Sequence, residues 1–198
     1  MNAAQQKWHQ RIRKPSSYRN ESEVVFLNEA GDPFLWQSSS KPLLWLYNLH
    51  YFDDLMAEGA QERMDWHATH IDSWLNDNPW MCGVGWQPYP LSLRIVNLIK
   101  WILEGRQPPP ELQSSLVQQV QSVSQQVEYH LMGNHLIANA KALVFAGSFF
   151  KGEQGKSWLH EGLTILRAQI PEQILEDGGH FERSPMYHAI ILEDLLDL

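Results

Sequence analysis

The densest chemistry in this chain lies in Gly178-Gly179-His180-Phe181-Glu182-Arg183-Ser184-Pro185-Met186-Tyr187-His188, just ahead of a plain apolar run from Ala189 to Leu198. Ser184 is a helix-capping residue type and Pro185 suits a first helical turn, so Tyr187 is expected in that turn. The positive end of a helix dipole stabilises negative charge, a help to a tyrosine that gives up or regains a proton. Tyr187 is therefore a candidate general acid or base, with His188 and Arg183 beside it. The plainer alternative is an aromatic ring packed at a helix start. A second stretch has the same design. Gly133 ends one expected helix, and Asn134-His135 opens the next with Asn134 as its cap. An amide and an imidazole there could hold a carboxylate or a developing oxyanion; alternatively Asn134 is a cap and His135 a bystander.

Other residues invite the same two-sided reading. His180, Glu182 and His188, with Asp177, carry ligand-type side chains, yet no His pair has the i, i+4 spacing of a helical zinc site, so no metal is expected. A Glu182 contact to Arg183 or to a histidine that shapes the loop is the simpler role. Asp177 and Glu182 could instead be the paired carboxylates of a glycoside hydrolase. Trp86, Tyr89 and Arg94 could form an aromatic wall with a guanidinium for an acidic sugar, or a plug over the core. Asn48 and His50, with Tyr47 and Tyr51, place polar groups in an otherwise buried helix and could line a cleft.

The elements that must position these groups are mostly helices. Glu23 to Leu27 and Gly31 to Trp36 read as two short strands around a turn. From Pro42 onward the pattern predicts helices over 43–58, 61–76, 91–103, 111–131, 134–150 and 156–170, then the tyrosine helix. In the fourth, Leu112, Leu116, Val120, Val123, Val127 and Leu131 form one stripe. Pro171 is expected to break the sixth. Helix–loop–helix units with chemistry confined to loops and helix starts suggest an all-α layered ring or bundle. Residues 1–22, with Arg11, Arg13, Lys14 and Arg19, read as a polar, solvated segment before one domain over 23–198. The chain stops at Asp197-Leu198 inside a helical run with no stop signal, which reads as a fragment of a longer fold.

Composition narrows the function classes. The formal charge is -8 over 198 residues, which argues against nucleic acid. The single cysteine, Cys82, excludes an intrachain disulfide and lacks an adjacent basic partner. No apolar run approaches membrane-spanning length. Met1 to Lys7 carries no apolar leader, so a cytoplasmic location is expected, with a periplasmic or secreted one as the alternative. No phosphate loop or nucleophile elbow is present, and no cofactor is expected.

Four stretches together resemble the heparinase II/III-like family, which includes related alginate lyases. They are Leu46-Tyr47-Asn48-Leu49-His50-Tyr51-Phe52-Asp53, Trp86-Gln87-Pro88-Tyr89-Pro90-Leu91-Ser92-Leu93-Arg94, Gly133-Asn134-His135-Leu136, and the tyrosine stretch of 178–188. The resemblance implies an incomplete (α/α) toroid, followed in the family by a β-sandwich that supplies a further histidine. It implies a lyase that cleaves a uronate-containing anionic polysaccharide by β-elimination. By that analogy Asn134 neutralises the uronate carboxylate, His135 assists it or acts as base, and Tyr187 protonates the leaving oxygen. Trp86, Tyr89, Arg94, Asn48, His50, His180, Glu182, Arg183 and His188 would contact the glycan. Some members carry Glu three residues after the motif histidine, where this chain has Ala138. The rival readings are a glycan-binding or polymer-assembly protein without turnover, and the hydrolase above. An exposed apolar edge would favour self-association.

Overall fold

The computed structural model describes Trp8, residues 12–131 and residues 133–198. The expectations resting on Met1 to Lys7 and on Arg11 lie outside the described residues. The described chain forms two compact units, residues 1–119 and 120–198. The division falls inside one helix.

The first unit begins with a three-stranded antiparallel meander, β1 (Tyr18–Asn20), β2 (Glu23–Phe26) and β3 (Glu29–Gly31). Leu27 and Asn28 both take positive φ, 54° and 64°, as a two-residue hairpin turn of the primed type needs. That tight turn returns the chain at Glu29, so the second expected strand lies earlier than 31–36. Asp32 then ends the strand by accepting from the Phe34 N–H at 2.8 Å. The boundary expected at residue 22 falls within the sheet. The segment read as solvated is partly bound: the Ser16 hydroxyl and the Ser17 N–H both donate to the Asp54 carboxylate, and Arg13 pairs with Glu104 at 2.7 Å.

Helix α1 (Leu43–Tyr51) is shorter than the expected 43–58. Phe52 turns left-handed at φ 62° and a 3₁₀ turn follows at Asp53–Met56. The carbonyls freed at this helix end are met by side chains of the helix Pro88–Leu103. Arg94 donates to the His50 carbonyl at 3.2 Å and Asn97 to the Tyr51 carbonyl at 2.9 Å. Helix α2 (Met64–Asp77) follows a 3₁₀ turn at Ala60–Arg63. Helix α3 (Pro88–Leu103) starts three residues earlier than expected, with prolines in its first turn where a missing N–H costs nothing.

Helix α4 (Pro110–Gln125) crosses from the first unit into the second. Its stripe is right as far as Val123: Leu112, Leu116, Val120 and Val123 are all buried, whereas Leu131 lies past the helix end and is exposed. The second unit then has α5 (Gly133–Phe149), α6 (Glu153–Gln173) and α7 (Pro185–Asp197). Pro171 does not break α6. It sits in the last turn on an exposed position, where losing one backbone hydrogen bond is cheap. The expected all-α class with a short β segment therefore holds.

Helices α5 and α6 form an antiparallel hairpin with backbones nearly touching. A Cβ on Gly162 would lie 2.7 Å from the Ala140 carbonyl oxygen, and one on Gly147 would lie 2.4 Å from the Leu159 nitrogen. Only hydrogen fits there, and the surrounding backbone has no room to yield. Replacing Gly162 with alanine should lower stability by about 1–3 kcal/mol through over-packing, despite alanine's better helix propensity. A urea midpoint for Gly162→Ala equal to or above that of the parent would contradict this close approach.

Candidate functional site

The candidate residues divide between the units. Asn48, His50, Trp86, Tyr89 and Arg94 lie in the first; Asn134, His135, His180, Glu182, Arg183, Tyr187 and His188 lie in the second.

In the first unit the expected sugar contacts of His50, Arg94 and Trp86 are not what the structure shows, because all three are buried. His50 Nδ1 accepts from the Trp74 indole N–H at 3.0 Å, so its Nε2–H donates to the Trp36 carbonyl at 3.0 Å. Burial and the Arg94 charge push this imidazole down to about 3, so it is neutral. Arg94 bonds Gln119 Oε1 at 2.9 Å and the carbonyls of His50 and Gly85, and stacks over the Trp74 ring at 3.9 Å. Trp86 donates to the Asn78 carbonyl at 3.3 Å. These residues form a frame, the core alternative named for the aromatic cluster. Tyr89 is half-buried, edge-on to Tyr51. Asn48 is half-buried and donates to the Leu44 carbonyl one turn back.

In the second unit the two chemistry-bearing stretches meet. Gln173, at the end of α6, donates to the Gly133 carbonyl at 3.0 Å and faces His180 Nε2 at 3.3 Å through its other amide atom. Ile174 pairs with His180 in an isolated antiparallel bridge, and the Phe181 N–H donates to the Gln173 carbonyl. The loop 178–184 is thereby stitched to the end of α6 and the start of α5. The Glu182 carboxylate reaches Gly133 so closely that a Cβ there would lie 3.1 Å from Oε1. An acid thus sits beside the first turn of α5, the favourable sign for a helix dipole.

Gly133 is the first residue of α5, so Asn134 lies inside the helix and is not its cap, against expectation. Asn134 and His135 are both half-buried. His135 Nδ1 lies 3.1 Å from Glu128 Oε1. Glu128 is itself buried and closed onto Asn139 at two points. Its backbone N–H donates to Asn139 Oδ1 at 2.9 Å, and Asn139 Nδ2 donates to Glu128 Oε2 at 3.2 Å. Sequence reading missed Glu128. The apolar period assigns it to the fourth helix, but that helix stops at Gln125 and leaves Glu128 in the turn before α5.

The tyrosine helix starts as read. Ser184 Oγ accepts from the Tyr187 N–H at 3.5 Å, and Tyr187 is half-buried in the first turn. Arg183 takes φ 54° and its side chain is exposed, as are Glu182 and His188. His180 is not an exposed contact. It is 2% exposed, and burial lowers its pKa while Glu182 raises it and His188 lowers it. Asp177 accepts from the Gly179 N–H, closing the turn. Lys141 fastens α7 to α5 through Asp194 at 2.8 Å and Asp197. Burial disfavours its charge, but the two carboxylates outweigh that and raise its pKa.

The sequence matches the family described as Heparinase II/III N-terminus over residues 55–198. The chain belongs to this family. Among its relatives, a heparin-sulfate lyase of Bacteroides thetaiotaomicron is 29% identical over 182 residues, 82% of this chain and 26% of the relative. A heparin-sulfate lyase of Pedobacter heparinus is 30% identical over 117 residues, 56% of this chain and 18% of the relative. FtsZ-localized protein C of Caulobacter vibrioides is 27% identical over 176 residues, 85% of this chain and 30% of the relative. In structure, the heparinase II/III-family chain resembles the crystal structure of heparan sulfate lyase HepC from Pedobacter heparinus. The TM-score is 0.59 at 23% identity, over 83% of this chain and 28% of the other. That likeness supports the fold expected, an (α/α) toroid portion. The chain spans less than a third of the length of these relatives.

The buried imidazoles of the first unit carry a pH signature. His70, like His50, is held neutral by burial, its pKa down to about 3. In the unfolded chain each takes a proton below pH about 6.5, so the unfolded state binds more protons under that pH. Their contribution is therefore intact above pH about 6.5 and drains as pH falls toward 3, by up to roughly 1.4 kcal/mol per pH unit for each. Urea midpoints followed by tryptophan fluorescence should fall steadily from pH 6.5 to 4.5. A flat profile there would mean that these histidines are not neutral and buried.

Proposed function

We propose that the protein is a polysaccharide lyase that cleaves a uronate-containing anionic glycan by β-elimination. The observation that supports this most is the meeting of the Gly133-Asn134-His135 and 178–188 stretches in one unit, joined by Gln173 and Glu182. The relatives named heparin-sulfate lyases point to the same chemistry. The proton at C5 of a uronate is weakly acidic, because its removal adds charge beside a carboxylate. The Asn134 amide bonds that carboxylate and spreads the growing charge. A base, His135 in this reading, takes the C5 proton; the C4–O bond breaks as the C4–C5 double bond forms; Tyr187 gives its proton to the leaving oxygen. Within the second unit, the exposed side chains of Glu182, Arg183 and His188 are those proposed to touch the glycan.

A second reading has its own support. FtsZ-localized protein C covers as much of this chain as the lyases do, and its name states a location and no reaction. A non-catalytic family member would keep glycan binding, or an assembly role, without turnover.

One experiment separates the two. Heparan sulfate and other uronate polymers are incubated with the protein, and the unsaturated product is followed by its ultraviolet absorbance. The lyase reading expects a rise that Tyr187→Phe lowers by about 10²–10⁴-fold with little change in glycan affinity. Binding without any rise in absorbance supports the non-catalytic reading. Cleavage to saturated ends would replace both with hydrolysis.

A further inference from the structure

We propose that Glu128 is the positioning residue for His135, fixing its proton on Nδ1 and its lone pair on Nε2, with Asn139 as the lock that holds Glu128 in place. The proposal rests on the reading of His135 as part of the reacting site and goes one step deeper into it.

The argument is one of donors and acceptors. The Glu128 carboxylate receives two side-chain contacts, from Asn139 Nδ2 on Oε2 at 3.2 Å and from His135 Nδ1 on Oε1 at 3.1 Å. Asn139 has no freedom to reverse, because its Oδ1 already accepts the Glu128 backbone N–H at 2.9 Å. Its NH₂ must therefore point at Glu128 and donate. Each oxygen then serves one donor, as an ionised carboxylate does, so the atom facing it on His135 is an N–H. The neutral ring with its proton on Nδ1 is an acceptor at Nε2, the state required of a general base.

The geometry is also rigid. Glu128 is 6% exposed and Asn139 fully buried, whereas the His135 side chain is 30% exposed. A fixed carboxylate thus holds a ring that reaches the surface, the order in which an orienting group and a proton-transfer group are arranged. His135 and Asn139 stand four residues apart on α5, so one helix face carries both the ring and the lock.

Glutamine at position 128 makes the proposal testable. An amide has one acceptor oxygen where the carboxylate has two. Asn139 keeps that oxygen, because its own orientation is fixed by the backbone of residue 128. The new NH₂ then faces His135 and demands an acceptor, which moves the imidazole proton to Nε2. Nitrogen-15 NMR of the histidine-labelled protein reads the tautomer directly and needs no turnover. The expected result is an Nδ1–H ring in the parent protein and an Nε2–H ring in Glu128→Gln. Asn139→Ala, which leaves both partners chemically intact, should give a mixture. Circular dichroism checks that each variant is folded. If turnover is found, Glu128→Gln should lower kcat by on the order of 10²-fold or more with KM changed only a few-fold. A parent ring already protonated on Nε2, or a folded Glu128→Gln protein with the parent tautomer, overturns the proposal. Absence of turnover with the expected tautomers would sink the lyase reading and leave this one standing.

Discussion

The second unit depends on how closely α5 and α6 approach. Gly162 against the Ala140 carbonyl and Gly147 against Leu159 fix the separation and the register of the two helices. Because the hairpin is antiparallel, that register carries Gln173 at the far end of α6 to Gly133 at the start of α5. The placement of the tyrosine stretch follows from that register. Gln173 anchors His180, the bridge at Ile174 anchors the loop, and the loop delivers Ser184 to cap α7 with Tyr187 in its first turn. A slip of one residue along α6 would turn Gln173 by about 100° away from α5 and release the loop.

The polar side chains of the two units do different work. In the first, His50, Arg94 and Asn97 are buried and every bond given above for them closes on the same unit. Arg94 loses much in leaving water, which lowers its pKa, and regains it through three hydrogen bonds and the Trp74 face. Such a group specifies geometry: it fixes where α1 ends by holding its last carbonyls. In the second unit Asn134, His135 and Tyr187 are only half-buried, while Glu128 and Asn139, which hold His135, are buried. That gradient, from rigid support to accessible side chain, is what a reacting site needs.

Much of this was legible in the residues. Ser184-Pro185 announced α7, because a capping hydroxyl and a proline in the first turn are local signals that no packing overrides here. The stripe of α4 was legible as far as Val123 for the same reason. What failed was long-range. The end of α1 at Tyr51 is set by Arg94 and Asn97, more than forty residues away, so no local signal marks it. His50 and Arg94 have the side chains of a sugar site and the surroundings of a core, and residue type alone cannot tell the two apart. Pro171 misled because a helix breaker one turn earlier would have broken α6, whereas in the last turn it has little left to interrupt. Glu128 was hidden by the assumption that an apolar period continuing through Val127 and Leu131 meant a continuing helix.

The Glu128–His135 pair also constrains how labour is divided around it. If the Nδ1 proton is committed to Glu128, as proposed, the imidazole in its neutral form offers a lone pair at Nε2 and no second donor. It can then take a proton but cannot hydrogen-bond a uronate carboxylate unless it is first protonated. The Asn134 amide, one residue earlier on the same first turn, keeps two donors whatever the pH. In the proposed lyase reading, charge dispersal therefore falls to Asn134 and the dipole of α5, and proton removal to His135. Donation to the leaving oxygen then needs a third group, because His135 cannot donate before it has accepted. In the proposed reaction that group is Tyr187, in the first turn of a different helix within the same unit.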